Sequence, residues 1–213
     1  CFVGDNLFAV GRNMGFLDDA KLMGSFSAHA ESIVEQSLLW RYSVICWAAH
    51  RAMRIEGDLV ECTCYKGTGA RIVADYIVLN AIEKSFYLYD LFEHDEFIPD
   101  FTSSEHGSDL YDQVRARFAE FPGAYVIQGK IPEILAEPAP EKIAYLHLDL
   151  NDATAEIAAL EFFWDKITPG GSIVLDDFGW AAYSAQHVAE TAWFAERGYR
   201  VLEMPTGQGL VIK

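Results

Sequence analysis

Carboxylates follow two apolar runs in the second half of this 213-residue chain. Asp149 ends the run 145–149, and Asp176 and Asp177 end the run 172–177. A segment of helix length that finishes in Pro-Gly-Gly separates the runs, which is the pattern of two parallel strands joined by a crossover helix. Open α/β sheets bind ligands at the carboxyl ends of their strands. We therefore expect the three carboxylates to converge at one sheet edge and to bind a divalent metal ion.

The chemistry of this expected metal site follows from its donor atoms. Carboxylate oxygens suit Mg²⁺, Mn²⁺ or Ca²⁺, whereas zinc more often recruits His or Cys, so we expect magnesium at Asp149, Asp176 and Asp177. Such an ion lowers the pKa of a ligated hydroxyl and orients it, and Asp149 is the candidate for accepting the proton. The alternative is structural, because adjacent Asp residues after a strand also cap helices and turns.

A second candidate site lies where the run 58–64 passes through Gly67, Thr68 and Gly69 into a helix. Small residues there let a ligand approach the backbone, and the helix start offers free amides. The spacing matches neither the dinucleotide fingerprint nor the phosphate loop. Glu61 would repel a pyrophosphate but suits a cationic or hydroxyl-rich ligand. An ordinary tight strand-to-helix turn is the alternative reading.

Two further strand ends carry polar groups. Asp90 ends the next predicted strand, where an acidic residue in nucleoside-binding folds accepts hydrogen bonds from ribose hydroxyls. Asp after a strand is also a common turn residue, so Asp90 indicates a ligand site only when it is considered together with Glu61. Gln128 and Gly129 end the third strand and could line a pocket for a base, although a plain turn is equally compatible with them.

Composition limits the classes of partner. The chain has 16 basic and 32 acidic residues and a formal net charge of −16, which opposes binding to nucleic acid or to an anionic membrane. The four cysteines, at positions 1, 46, 62 and 64, lack the paired spacing of a zinc or redox site, which favours reduced thiols in a cytoplasmic protein. We expect no membrane span and no signal peptide.

After Gly57, turn residues separate the chain at regular intervals into the strands and helices that would position these groups. Apolar residues at three- and four-residue steps predict one long helix over 29–55, and 1–28 is predicted as loops with one short helix that could form a mobile cover. We therefore divide the chain into an amino-terminal helical or lid region at 1–56 and a core at 57–213, within one domain. The predicted strands of the core are 59–64, 86–90, 124–128, 143–149, 172–176, 199–204 and 209–212. The predicted helices of the core are 67–79, 109–121, a short one from 132, 154–167 and 183–197, and a loop is expected up to about residue 108.

Strands and helices alternate through most of the core, which predicts an α/β fold with a doubly wound, Rossmann-like, mostly parallel sheet. The last two strands are separated by only a few residues, too few for a parallel crossover. They should therefore pair as an antiparallel hairpin at the carboxyl terminus.

Four motifs in the region 54–213 carry a family resemblance. They are Glu-Cys-x-Cys-Tyr-Lys-Gly at 61–67, Tyr-Asp-Leu-Phe-Glu at 89–93, Leu-Asp-Leu at 148–150, and Pro-Gly-Gly-x-Ile-Val-Leu-Asp-Asp-Phe-Gly at 169–179. Together they resemble class I S-adenosylmethionine-dependent methyltransferases. More closely, they are similar to the macrocin O-methyltransferase group, which methylates sugar hydroxyls on natural products, such as antibiotics, using magnesium.

The resemblance implies a seven-stranded sheet whose last strand is antiparallel, with S-adenosyl-L-methionine and Mg²⁺ as cofactors. It implies that Asp90 binds the cofactor ribose and that Asp149, Asp176 and Asp177 ligate the metal. The residues that it places around the methionine part of the cofactor are Glu61, Thr63, Tyr65, Gly67 and Thr68. The family usually has Gly where this chain has Thr63, so a Cβ and a hydroxyl stand at the closest approach of the cofactor.

The leading hypothesis is an S-adenosylmethionine-dependent, magnesium-assisted O-methyltransferase that acts on a sugar or diol-like hydroxyl of a small molecule. Two alternatives stay open, a metal-dependent hydroxylase or glycosyl-modifying enzyme and a non-catalytic subunit with a nucleotide-binding fold. We expect a homo-oligomer.

Two histidines and an aromatic set remain as weaker candidates. His147 is expected in the core, and His187 is a substrate-side candidate. The aromatic set, which should form either an acceptor pocket or core, comprises Phe178, Trp180, Tyr183 and Trp193.

Overall fold

The computed structural model describes residues 1–92, 109–136 and 138–213. Its strands are β1 (Phe2–Gly4), β2 (Leu7–Ala9), β3 (Asp58–Cys62), β4 (Phe86–Asp90), β5 (Ala124–Gln128), β6 (Ile143–Leu148), β7 (Ile167–Leu175), β8 (Leu202–Glu203) and β9 (Gly209–Ile212). Its helices are α1 (Ala20–His29), α2 (Ile33–Ser37), α3 (Leu39–Ala52), α4 (Thr68–Ile77), α5 (Leu110–Arg117), α6 (Ala153–Phe163) and α7 (Ser184–Glu196).

Seven strands form the central sheet in the order β5-β4-β3-β6-β7-β9-β8. The five strands from β5 to β7 in this order are parallel to one another, whereas β9 pairs antiparallel with both β7 and β8. Every residue of β6 is buried, as expected for a central strand covered on both faces. The predicted fold class, a Rossmann-like sheet that ends in an antiparallel hairpin, is confirmed.

The sheet order brings the candidate groups to one edge. β3 and β6 are neighbours, and Glu61 lies opposite His147 in their register. β6 and β7 are neighbours too, so the residues that follow Leu148 and Leu175 leave the sheet side by side. Asp149, Asp176 and Asp177 therefore emerge together at the carboxyl ends of two adjacent strands.

The amino-terminal region differs from its prediction. Instead of one helix over 29–55, the chain forms α1, α2 and α3, and a small β1–β2 hairpin precedes them. The break has a local cause, because Ser32 and Glu35 form a capping box that starts a new helix. Asp19 caps α1 by accepting hydrogen bonds from two backbone amides, and α1 agrees with the short helix predicted within 1–28.

Several other boundaries shift. α6 ends at Phe163, a short 3₁₀ turn follows it, and β7 then begins at Ile167, so the Pro-Gly-Gly segment belongs to the strand instead of the preceding loop. The predicted strand 199–204 is reduced to β8 at the sheet edge. The loop predicted before 109 lies mostly at 93–108, outside the described residues.

Two apolar layers cover the sheet. One contains side chains of α3, α4 and the amino-terminal segment, including Phe2, Leu22 and Ile45. The other contains α6, α7 and the opposite strand face, with Phe163 and Phe194 fully buried. The amino-terminal segment therefore shares the core of the sheet. In the described part of the chain, no helix is both long enough and apolar enough to cross a membrane.

Candidate active site

Three carboxylates cluster at the ends of β6 and β7. Asp149, Asp176 and Asp177 each offer one oxygen, and these oxygens lie within 4.8 Å of one another. Asp176 and Asp177 are buried, and Asp149 is partly exposed. The structure thus brings together the three residues that the sequence predicted as metal ligands, in the spacing of a cluster that could hold a cation.

Burial and the charges of neighbouring groups together set the protonation of this cluster. Burial, followed by the charges of Asp176 and Asp177, raises the pKa of Asp149 well above its usual value. Burial and the charge of Asp176 raise the pKa of Asp177 to about 7. Burial also opposes ionisation of Asp176, but Arg41 and His147 outweigh it and lower the pKa of that carboxyl. A further cation among these groups would relieve the remaining repulsion.

Arg41 is a part of the site that sequence reasoning missed. It lies on α3, and its Nη1 contacts Asp176 Oδ2 closely and lies 3.3 Å from Asp177 Oδ1. Its Nε donates to Asp5 Oδ2 at 2.7 Å, and its guanidinium carbon lies 4.9 Å from the centre of the Trp180 ring. The sequence contained one sign that Arg41 could have a role: it is a basic residue between two aromatic residues in the segment predicted as a long amphipathic helix.

His147 links the two halves of the site. Its Nδ1 lies 3.5 Å from Glu61 Oε2, and its Nε2 lies 3.3 Å from Asp176 Oδ1. Burial lowers the pKa of His147, but hydrogen bonds and charge from Asp176 and Glu61 outweigh burial, and the net shift is strongly upward. The sequence predicted a core histidine. It is buried as predicted, and it also bridges a carboxylate of β3 and one that follows β7.

The carboxyl-terminal hairpin supports Asp176 from the other side. Gln208, fully buried in the turn before β9, donates from Nε2 to Asp176 Oδ1 at 2.7 Å. Gly179 donates its backbone N–H to the carbonyl of Gly207. A Cβ on Gly207 would come within 2.3 Å of the Trp180 indole nitrogen, so only glycine fits at position 207. Both oxygens of Asp176 are thus held by named partners.

A buried pair of glutamates lies beneath the loop that carries Asp149. Glu156 accepts hydrogen bonds from the backbone N–H of Leu150 at 3.0 Å and from Gln186 Nε2 at 2.8 Å. Glu190 is fully buried beside it, and in the described part of the chain neither of its oxygens has a hydrogen-bond donor. Burial and the neighbouring Glu156 raise the pKa of Glu190 to about 11, so Glu190 is neutral at pH 7.

The loop after β3 is fastened by Asp90. Its Oδ2 accepts from the backbone N–H of Tyr65 at 2.6 Å, and its Oδ1 accepts from that of Phe92 at 2.7 Å. Burial raises the pKa of Asp90 to about 6, although these hydrogen bonds oppose the shift. Thr63 and Tyr65 both have positive φ, at 70° and 49°, an unusual conformation for residues with a Cβ and especially for a β-branched one. Strain of this kind concentrates at functional sites.

The amino-terminal region reaches the start of α4. Thr68 donates from its hydroxyl to Glu35 Oε1 at 2.6 Å and accepts from Arg117 Nη1 at 3.0 Å. Gly67 has a φ of +72°, and a Cβ there would come within 2.9 Å of the Phe118 ring. Packing and backbone conformation therefore explain this glycine without a ligand.

Gln128 and Gly129 lie beside Asp90 at the end of β5. Gly129 donates its N–H to the Asp90 carbonyl at 2.9 Å, and its missing Cβ makes room for the side chain of Ile134. Gln128 is exposed and lies 3.4 Å from the Leu91 carbonyl. The structure brings Glu61, Thr63, Tyr65 and Asp90 to one sheet edge with these two residues at its outer end.

The aromatic set separates into two groups. Trp180 packs on Arg41. Burial, followed by the charges of Asp177 and Asp149, raises the pKa of Tyr183. Trp180 and Tyr183 therefore both border the acidic cluster. Phe178 is buried beneath the ring of His187, whose Nδ1–H donates to the Phe178 carbonyl at 2.9 Å. Trp193 belongs to the core and packs against Trp164.

Solved structures share this fold. The O-methyltransferase NovP superposes with a TM-score of 0.68 at 15% identity, over 82% of this chain and 80% of that one. CalS11, a TDP-rhamnose 3′-O-methyltransferase of calicheamicin biosynthesis, gives 0.61 at 13% identity over 93% and 90% of the two chains. The methyltransferase PaMTH1 of Podospora anserina, bound to SAH, gives 0.62 at 12% identity over 96% and 98%.

A search of the curated proteins finds no significant match to this chain. A family model does match the sequence. A family model described as a methyltransferase domain matches residues 60–178, which include Glu61, Asp90 and the three clustered carboxylates. The match spans more than half of the chain and agrees with the methyltransferase part of the sequence-based resemblance. The chain therefore belongs to the methyltransferase domain family.

Proposed function

We propose that this protein is an S-adenosylmethionine-dependent O-methyltransferase that acts on a hydroxyl of a small molecule with the help of Mg²⁺. The observation that carries the proposal is the convergence of Asp149, Asp176 and Asp177 beside the strained loop after β3. The family match favours methyl transfer over a hydroxylase, a glycosyl-modifying enzyme or a non-catalytic subunit. The macrocin-like subgroup remains our inference from the motifs.

The donor set fits a hard divalent cation. The three oxygens lie within 4.8 Å of one another, and small side-chain movements that bring them within about 4.2 Å would let all three reach one ion at Mg–O distances of about 2.1 Å. Burial first and the neighbouring carboxylates second raise the pKa values of Asp149 and Asp177, and an added cation would oppose both effects by favouring the ionised carboxylates. When bound, Mg²⁺ would lower the pKa of an acceptor hydroxyl.

Side chains around the cluster would accept the proton, hold the ligands in place and contact the acceptor. Asp149, the most exposed of the three, is the candidate for taking the acceptor proton. Glu156 holds the loop behind it through the Leu150 amide, and Gln208 fixes Asp176. Trp180 and Tyr183 border the cluster and offer apolar surface to an acceptor.

The cofactor would lie over the loop after β3. Glu61 is buried, and in the described chain its Oε2 has no hydrogen-bond partner, although His147 lies 3.5 Å away. A buried carboxylate with one oxygen free of hydrogen bonds could attract the cationic end of S-adenosylmethionine. Asp90 uses both oxygens to accept backbone N–H groups of the loop. We therefore propose that it acts on the cofactor mainly by positioning Tyr65. Its remaining lone pairs can also accept hydrogen bonds from the ribose hydroxyls.

The acceptor is proposed from chemistry and from related structures. Coordination positions that the three carboxylates leave open would suit the two oxygens of a vicinal diol, and CalS11 is a TDP-rhamnose 3′-O-methyltransferase. A sugar or diol-like hydroxyl of a natural product is therefore our proposed acceptor class. We also expect a homo-oligomer, which sedimentation of the purified protein would reveal.

Calorimetry with S-adenosylhomocysteine and with Mn²⁺ tests the two halves of the site separately. We expect the wild type to bind both ligands, and D176N to lose Mn²⁺ affinity at least about tenfold while it keeps the cofactor product. D112N is the matched control, because Asp112 is 79% exposed on α5. No binding of S-adenosylhomocysteine at millimolar concentration would refute the methyltransferase proposal, and equal Mn²⁺ binding by D176N would refute only the metal site.

A further inference from the structure

Arg41 occupies space among the carboxylates that the proposed metal ion needs. Its side chain is only 12% exposed, and it contacts Asp176 Oδ2, Asp177 Oδ1 and Asp5 Oδ2 at once. The Trp180 ring covers the guanidinium at 4.9 Å. The carboxylate cluster therefore already contains one cation, supplied by α3.

The two oxygens of Asp176 are not equally easy to free. Oδ1 accepts from Gln208 and lies 3.3 Å from His147 Nε2. Gln208 is fully buried in the hairpin turn, and His147 is part of the central strand β6, so neither can withdraw without disturbing the sheet. Oδ2 is held by Arg41, whose long side chain has rotatable bonds. A metal ion that binds Asp176 has its simplest route at Oδ2, and there it competes with Arg41.

The same guanidinium fastens the amino-terminal hairpin. Asp5 lies in the turn between β1 and β2, with a φ of 51°, and it reaches Arg41 Nε at 2.7 Å. Phe2 anchors the hairpin from one strand by packing on Trp40, while Val3 and Phe8 are 73% and 68% exposed. The Arg41–Asp5 ion pair is thus the polar link between this hairpin and the site.

We propose that Arg41 is a displaceable resident cation of the carboxylate cluster, and that a divalent ion entering at Asp176 and Asp177 releases the amino-terminal hairpin. This inference rests on the proposed metal site. The coupling must be reciprocal, so a seated hairpin weakens metal binding by the same factor by which bound metal weakens hairpin seating.

Removal of Arg41 separates this proposal from a supporting role for the residue. R41Q removes the competing positive charge beside the ion, so Mn²⁺ should bind at least about tenfold more tightly than to the wild type. If Arg41 instead orients the carboxylates for the metal, R41Q should bind Mn²⁺ more weakly. R12Q is the charge-matched control, since Arg12 is an exposed residue of the same amino-terminal region, and its Mn²⁺ affinity should stay within about twofold of the wild type.

The experiment combines Mn²⁺ titration by electron paramagnetic resonance with amide hydrogen exchange of residues 2–9. Saturating Mn²⁺ should speed exchange of these amides at least about tenfold in the wild type, and R41Q should show the fast exchange without metal. D5N provides a second variant if R41Q does not fold. In D5N the hairpin should exchange fast with or without Mn²⁺, while Mn²⁺ still binds.

The outcomes distinguish this inference from the metal proposal. Equal or weaker Mn²⁺ binding by R41Q, or hairpin exchange in the wild type that Mn²⁺ leaves unchanged, overturns the displacement proposal and leaves the metal site in place. Failure of both the wild type and R41Q to bind Mn²⁺ overturns both. Binding by R41Q alone also overturns the displacement proposal, because Arg41 then excludes the ion from the native cluster and no ion can release the hairpin.

Discussion

Replacing Glu190 by Gln should stabilise the folded protein at neutral pH. Glu190 is fully buried beside Glu156, and its folded pKa is raised to about 11, above the ordinary value of 4.5 that applies to the unfolded chain. At pH 7 the folded state holds a proton on Glu190 and the unfolded state does not. A glutamine side chain has nearly the same shape, carries no charge in either state and offers N–H groups that can donate to the neighbouring Glu156.

The size of the effect follows from proton linkage. Because the folded state binds more protons, this group makes stability fall as the pH rises from 4.5 towards the folded pKa. The loss is about 1.4 kcal/mol per pH unit, which amounts to about 3 kcal/mol at pH 7. E190Q removes this dependence. The free energy of unfolding of E190Q should therefore exceed that of the wild type by about 3 kcal/mol at pH 7, and the gap should close towards pH 4.5.

Urea unfolding followed by tryptophan fluorescence at several pH values between 5.5 and 8 measures this gap. E196Q is the control, because Glu196 is exposed on the same helix and should shift stability by no more than about 0.5 kcal/mol without a pH trend. A gap between E190Q and the wild type that stays constant across this range would refute the reasoning, since it would mean that Glu190 is ionised in the folded protein.

Three further substitutions test the loops around the site by urea unfolding. T63G should stabilise the fold by about 0.5 to 1 kcal/mol, because it relieves a β-branched residue at a φ of 70° at some entropic cost, whereas T63A keeps the Cβ and should gain nothing. D90A should cost about 2 to 4 kcal/mol and weaken S-adenosylhomocysteine binding, because the amides of Tyr65 and Phe92 lose a charged acceptor; unchanged affinity would exclude Asp90 from organising the cofactor loop. D152A should cost about 1 kcal/mol through loss of the cap of α6, and a normal affinity for both ligands would separate this structural role from the site.

The local sequence was sufficient to predict the sheet and the acidic cluster. The positions of the strands and of the crossover helices follow from apolar runs, turn residues and spacing, and the carboxylates lie at strand ends whatever the details of packing. The short gap before β9 required an antiparallel hairpin, and the structure has one. Gly67 and Gly129 were predicted as ligand-facing, yet their positions are already explained by contacts with Phe118 and Ile134, which no local pattern reveals.

The amino-terminal region shows where local periodicity was insufficient. The apolar spacing of 29–55 fits one helix, but the Ser32–Glu35 capping box satisfies the first amides of a new helix and interrupts it. Short helices gain most of their stability from tertiary packing, so α1 settles against α4, and α3 settles against α4 and the sheet. α2 buries no residue, and its capping box defines where it begins.

Sequence alone determined which groups stand at the sheet edge, because continuous apolar runs and the turn residues that follow them mark where the strands end. Tertiary structure decided which charges meet there. Arg41 lies 135 positions before Asp176, and His147 meets both Glu61 and Asp176 through two different strand pairings. These contacts are long-range consequences of packing α3 on the sheet and of the strand order. They give the cluster its protonation state, its resident cation and its link to the amino-terminal hairpin.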